Sequence, residues 1–208
     1  MYVPLAFAEN RLPVLHDAIR ATGLASLVTY GVSGLLATPL PLMLDAEAGP
    51  NGTLYGHLAR ANPQWRNADP AAEVLALFNG PNAYITPSWY ETKRETGKVV
   101  PTWNYVTVHA YGPVTWFEDA AGLLDIVTRL TVQHESPRPA PWAVDDAPAP
   151  FIASQLKGIV GFAMPITRLQ GKWKMSQNRP AMDRAAVVEG LAAEGNTDAA
   201  TLVGSKSL

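Results

Sequence analysis

Three stretches of this chain carry residues suited to holding a ligand. The first is Gly56-His57-Leu58-Ala59-Arg60-Ala61-Asn62-Pro63. A strand ends there, an arginine follows, and a short helix starts with Asn62 as N-cap and Pro63 at the first helical position. A guanidinium beside a helix N-terminus makes an anion site, because charged donors and free backbone N–H groups converge. His57 is a further donor. The plain alternative is an exposed arginine beside a routine cap. The second stretch, Ile166–Arg184, sets Arg168, Lys172, Lys174, Arg179 and Arg184 against Asp183 alone. It is either a solvated face or, with Trp173, Gln177 and Asn178 interleaved, a polar recognition surface. The third runs from Phe78 to Tyr90. A strand meets the turn residues Asn79-Gly80-Pro81, a second short strand follows, and Trp89 and Tyr90 sit on a Pro-led loop. Such aromatics either plug the end of a barrel or stack on something planar.

Other chemistries lack their residues. His16, His57, His109 and His134 do not pair with each other or with a carboxylate at metal-ligand spacing, so no metal is expected. There is no cysteine, which removes disulfides, thiolate nucleophiles and Cys-ligated metal. No Gly-x-Ser-x-Gly elbow and no Gly-rich phosphate loop occurs.

Stepping outward, the elements that must position these residues read as strands. The 18 Pro and 16 Gly in 208 residues imply many turns. Strands are expected at Leu24–Tyr30, Leu35–Leu44, Thr53–Ala59, on both sides of Gly80-Pro81 through Ile85, at Trp103–Tyr111, at Val114–Phe117 and at Ile159–Leu169. Pro39 and Pro41 cannot donate to a ladder, so the second strand is an edge, a bulge, or a backbone open to a ligand. Helices are expected over Asn10–Thr22, from an Asp119 cap to Gln133 with Leu123, Leu124, Val127 and Leu130 on one face, over Phe151–Lys157, and from Pro180 to Leu191. Ser88–Pro101 reads as a polar loop and His134–Pro150, with five prolines, as a surface excursion. The pattern predicts a mainly β fold with α decoration: one domain over 1–195 and a flexible tail over 196–208.

Hydrophobic residues make up 48% and charged residues 16%, which is apolar for a free monomer and favours an oligomer. A net charge of −2 gives no global field for nucleic acid or anionic membrane. No window approaches a membrane-spanning helix. No secretory leader pattern opens the chain, and a cytoplasmic location is expected.

Taken together, Met1-Tyr2-Val3-Pro4 with Phe7, Gly56–Trp65, Gly80–Tyr90, Val100–Tyr105 and Lys174–Arg179 resemble the PaiB-like family of FMN-binding negative transcriptional regulators. The resemblance implies an antiparallel split β-barrel, similar to pyridoxamine phosphate oxidases and flavin reductases. It also implies a homodimer with FMN at the subunit interface. Within it, Arg60 occupies the phosphate-gripping position. The family often has Lys next, where this chain has Ala61, so either the phosphate grip is weaker here or Asn62 and His57 share it. Pro39 and Leu40 edge the flavin ring, while Asn104, Tyr105 and Trp89 lie against the flavin. Lys174, Ser176, Gln177 and Arg179 match a family signature and join the cofactor-binding set.

Three functions fit these residues. The resemblance implies a flavin-binding regulator, although no helix-turn-helix pattern supports DNA contact. An FMN-dependent oxidoreductase acting on a small molecule is the second. A haem-binding or cofactor-less barrel is the third.

Overall fold

The computed structural model describes residues 1–205. Ten strands and seven helices are present among them. The strands are β1 (Ala8–Glu9), β2 (Leu24–Gly31), β3 (Gly34–Pro41), β4 (Met43–Asp45), β5 (Thr53–Ala59), β6 (Val74–Ile85), β7 (Thr102–Gly112), β8 (Thr115–Phe117), β9 (Ile159–Pro165) and β10 (Arg168–Lys174). The helices are α1 (Leu12–Thr22), α2 (Gln64–Asn67), α3 (Thr92–Thr96), α4 (Ala120–Glu135), α5 (Ala149–Leu156), α6 (Ala181–Ala193) and α7 (Thr197–Gly204). A six-stranded sheet has the order β1-β10-β7-β6-β2-β3 and a four-stranded sheet the order β4-β5-β9-β8. The expected mainly β architecture with helical decoration is present. The chain divides into two compact units, one of His16–Phe78 with His109–Leu169, the other of Met1–Leu15, Asn79–Val108 and Gln170–Leu208.

In the first unit, β2 and β3 form a hairpin paired from Leu24↔Pro41 to Gly31↔Gly34, and β6 joins the other side of β2. β3 is therefore an edge, and the prolines sit where a missing N–H costs no ladder bond. Strand alternation buries Ala25, Leu27 and Thr29 on one face. The opposite face carries Leu24, Val28 and Tyr30 across from Pro41, Ala37 and Leu35, and it is largely apolar and solvent-exposed. β5 runs the length of β9, and Gly56 is needed there because a Cβ would lie 3.0 Å from the Phe162 ring. Ile126 and Leu130 of α4 pack with Met43, Tyr55 and Phe117.

In the second unit, β1 pairs with β10 (Ala8↔Lys172), and α7 packs on α6. Asp183, fully buried on α6, accepts hydrogen bonds from the Thr92 N–H (3.0 Å) and Oγ1 (2.8 Å).

Several local expectations are corrected. Gly80-Pro81 is not a turn: β6 runs unbroken through it, because Gly80 lets β7 approach until a Cβ would stand 3.2 Å from Val106 Cβ. The apolar run Ile159–Leu169 breaks into β9 and β10, with the break at Ile166-Thr167. The proposed α4 face is rotated: Leu123, Ile126 and Leu130 are buried while Leu124 is 41% exposed. The polar loop Ser88–Pro101 contains α3. Most of the expected tail folds as α7, which buries Ala199, Ala200 and Val203, and its last three residues lie outside the described ones.

Asp119 does cap α4, its Oδ1 accepting from the Gly122 N–H at 2.8 Å. Asp119→Ala is expected to cost about 1 kcal/mol in chemical denaturation, with Asp119→Asn recovering most of it.

Candidate cofactor and anion sites

The first unit places the Gly56–Pro63 stretch against β3. Asn62 Nδ2 donates to Thr38 Oγ1 at 2.9 Å, and Asn62 Oδ1 accepts from the Gln64 N–H at 2.9 Å. Thr38 Oγ1 in turn donates to Gln64 Oε1, whose Nε2 reaches Leu27 O at 2.9 Å. This chain of bonds, partly buried and ending in the buried Gln64 amide, fixes the turn beside Pro39 and Leu40. Leu40 points inward and Pro39 is exposed. Arg60 is spoken for within the protein. Its Nε donates to Lys157 O (2.6 Å), its Nη2 to Ile159 O (3.1 Å), and its Nη1 pairs with Glu118. Three of its five N–H donors are used and its charge is offset by a carboxylate.

His57 is half-buried, and its Nδ1 is fully buried without a hydrogen-bond partner. Burial holds the imidazole below its ordinary pKa. It lines two hollows of about 310 Å³ each, which share His57, Val127, Thr131 and Trp142; Pro41 borders one of them. Trp142 comes from the Pro-rich excursion, and nothing in its sequence context singled it out.

The second unit gathers the Lys174–Arg179 stretch. Lys174, Ser176, Asn178 and Arg179 line a cavity of about 50 Å³ with Thr102 and Asn104, and Phe7 forms a wall. Asn104 and Ser176 are both buried, and Asn104 Nδ2 donates to Ser176 Oγ at 2.9 Å. Ser176 has φ 60°, the left-handed region that a residue with a Cβ occupies at a cost. Gln177 Oε1 accepts from the Met175 N–H at 2.7 Å and its Nε2 donates back to Trp173 O, which braces the turn. Lys174 Nζ donates to Thr102 Oγ1 and, at 2.6 Å, to Trp103 O. Burial pushes its pKa below the ordinary lysine value, and the cations of Lys172 and Arg179 push the same way. The Arg179 guanidinium lies 4.6 Å from the Tyr90 ring centre. Lys172, buried, donates to Tyr2 O at 3.2 Å and stands 5.2 Å from the Tyr105 ring. Trp89 packs on α6, where a Cβ on Gly190 would fall 2.3 Å from its ring.

The sequence-derived residues thus form two sets. His57, Arg60, Asn62, Pro39 and Leu40 belong to one unit, and Asn104, Tyr105, Trp89, Lys174, Ser176, Gln177 and Arg179 to the other. Within the second set, Asn104, Lys174, Ser176 and Arg179 share one cavity, while Trp89 is engaged with α6. Phe7, Thr102 and Asn178 complete that cavity; Asn178 stood only in the polar run of Ile166–Arg184, and Thr102 was not singled out.

A family profile described as "Putative FMN-binding domain" matches residues 1–168. The chain belongs to this FMN-binding family. Its relatives include the protease synthase and sporulation protein PAI 2 of Bacillus subtilis, 34% identical, with 96% of this chain and 93% of that protein covered. An uncharacterized protein of Aspergillus fumigatus is 38% identical over 91% of this chain and 90% of its own length. The flavocytochrome Anf3 of Azotobacter vinelandii is 12% identical with a TM-score of 0.57, over 80% of this chain and 69% of that one. The fold is an antiparallel split barrel, and FMN is the family's cofactor. Each place fits part of that group on its own terms: the orphaned buried nitrogen of His57 and the apolar hollows beside it suit a flat ring, and the cationic cavity separately suits a phosphate.

The backbone of Ser176 supplies a test of the cavity's construction. Ser176→Ala keeps the φ penalty and loses the Asn104 bond, whereas Ser176→Gly loses the bond and relieves the penalty. Thermal or urea unfolding is expected to rank wild type above Gly and Gly above Ala, with about 1 kcal/mol between the two variants. Equal stabilities for the two would mean that the conformation at 176 carries no penalty.

Proposed function

We propose that this chain is a homodimeric, cytoplasmic FMN-binding regulator of the PaiB type, which represses transcription through its flavin-bound state and has no DNA-reading element of its own. The observation that carries this reading is the fate of the five cations in Ile166–Arg184. Arg168 pairs with Glu73 at 3.0 Å and lies 3.5 Å from the Tyr111 ring centre. Lys172 is 8% exposed. Lys174 and Arg179 face the small cavity, and Arg184 donates to Val203 O at 2.9 Å. Few of these charges remain to displace counterions from a nucleic acid.

Support for the dimer comes from the outer face of the β2–β3 hairpin. Leu24, Tyr30 and Leu35 are 56–73% exposed there, beside Ala37, Pro39 and Pro41. A second copy is the occupant we assign to this face, since an apolar patch of this kind is costly in a monomer. When bound, FMN supplies the redox chemistry. His57, Asn62, the Pro39-Leu40 edge and the two remaining donors of Arg60 are one candidate set of contacts for it. Asn104, Tyr105 and the Lys174–Arg179 turn are a separate candidate set. Among the described residues no helix is long and apolar enough to cross a membrane.

The second reading is an FMN-dependent oxidoreductase, and the cationic cavity favours it, because a small anionic substrate needs such a seat.

The purified protein is expected to show flavin absorbance bands. A Soret band, or no band after reconstitution with FMN, would refute the cofactor assignment. Light scattering is expected to give twice the 22.3 kDa chain mass, with Leu35→Lys shifting the protein toward monomer. In a low-salt gel shift no retention of duplex DNA is expected. Retention that Lys172→Ala with Lys174→Ala abolishes, with flavin kept, would overturn the absence of a DNA-reading element.

A further inference from the structure

The turn after β10 lies beyond the residues matched by the FMN-binding profile, which ends at 168. Its cavity is nevertheless built like a binding site. Its lining includes Lys174 and Arg179, and no carboxylate borders it. Neither cation has an ion-pair partner among the described residues, whereas eight other pairs exist there. Two of Lys174's three donors go to Thr102 Oγ1 and Trp103 O, so the third is available. The Arg179 guanidinium, held 4.6 Å from the Tyr90 ring centre, carries five N–H donors and no acceptor. The N–H groups of Gln177 and Asn178 have no acceptor among the described residues. The left-handed residue Ser176 precedes them, and Ser176 and Asn178 line the cavity. Asn104 and Ser176 hold each other underneath, and Gln177 braces the strand end. A cavity of about 50 Å³ exceeds the share of one water and suits a single tetrahedral or planar oxyanion.

We propose that Lys174, Arg179 and the Ser176–Asn178 backbone, with Thr102 and Asn104, form an oxyanion seat that receives a phosphate or carboxylate group of a bound small molecule. Its charge is positive and unbalanced in the free protein, so the preferred occupant is an anion. Two sources share this chemistry: the phosphate of the flavin nucleotide, or the anionic group of a second ligand. Arg60, already neutralised by Glu118, is the weaker anion seat of the two. The inference stands on the cavity itself and survives failure of the regulator reading.

The probe is inorganic phosphate, titrated into the full-length flavin-stripped protein and into the FMN-loaded protein, with the amide and lysine resonances of residues 174–179 followed by NMR. Saturable shifts at these residues are expected in the stripped protein. Arg179→Gln and Lys174→Met are each expected to weaken phosphate binding about ten- to hundredfold, the loss of one charge-assisted contact. Lys98→Ala, which removes an exposed cation outside the cavity lining, is the control and is expected to leave phosphate affinity within a fewfold. If the loaded protein no longer binds phosphate, and Arg179→Gln weakens FMN but not riboflavin, the seat holds the flavin phosphate. If the loaded protein still binds phosphate and the variants keep their FMN affinity, the seat serves a second anionic ligand. Absence of saturable shifts at 174–179 in the stripped wild type would overturn the proposal. So would folded Lys174→Met and Arg179→Gln variants that bind phosphate as tightly as wild type.

Discussion

Three cations are crowded at the end of β10, and their repulsion constrains everything around that turn. Lys172, Lys174 and Arg179 fall within eight residues of chain, yet none is paired with a carboxylate among the described residues. Burying like charges side by side is costly, and proteins usually meet that cost with carboxylates. Here it is met with main-chain carbonyls and ring faces. Tyr2 O and the Tyr105 ring take Lys172, Trp103 O and Thr102 take Lys174, and the Tyr90 ring takes Arg179. Carbonyls and π faces lower the energy of a cation without cancelling its charge. The arrangement therefore keeps a positive potential available, which an ion pair would have spent.

The other elements of the same unit fall into place around that constraint. Gln177 reaches back to β10 and sets the exit of the strand, so Ser176 must enter the left-handed region to turn the chain. Asn104 on β7 fills the space under Ser176 with a buried amide, both of whose polar atoms face the serine hydroxyl. Asp183 spends its charge on Thr92 at the start of α3, holding a surface loop and not neutralising the cavity. A glutamine, a serine, an asparagine and an aspartate thus each have a local task, and the net result is a small electropositive hollow with a rigid floor.

Much of the fold was legible because alternation and turn residues act locally. β2, β5 and α4 appear within a residue or two of their expected spans, and Asp119 caps as its position implies. The errors came where tertiary contact overrode a local signal. Gly80-Pro81 has turn chemistry, but the close approach of Val106 makes glycine a requirement of strand packing. Residues 196–208 were expected as a flexible tail, yet α7 finds a partner in α6 and buries Ala199, Ala200 and Val203. Leu124 and Val127 satisfied helical periodicity as well as Ile126 did, and only the direction of the sheet decided which stripe faced it.

The binding residues divide along the same line. A motif lists the groups that a family uses, and Lys174, Ser176, Gln177 and Arg179 were legible in that sense. What a motif cannot list is the partner that each charge finds far away in sequence. Arg60 has the spacing of an anion site, and its guanidinium stands beside a helix start as expected. Glu118, 58 positions further on, meets it there. At 34% and 47% exposure this pair contributes little to stability, but it lowers the potential an incoming phosphate would feel. Lys174 and Arg179 have no such partner, and the same solvent-poor surroundings that depress the lysine's pKa strengthen its pull on an anion. Two arginines with equally good sequence contexts are separated by the placement of a single carboxylate, and that placement is a property of the folded chain alone.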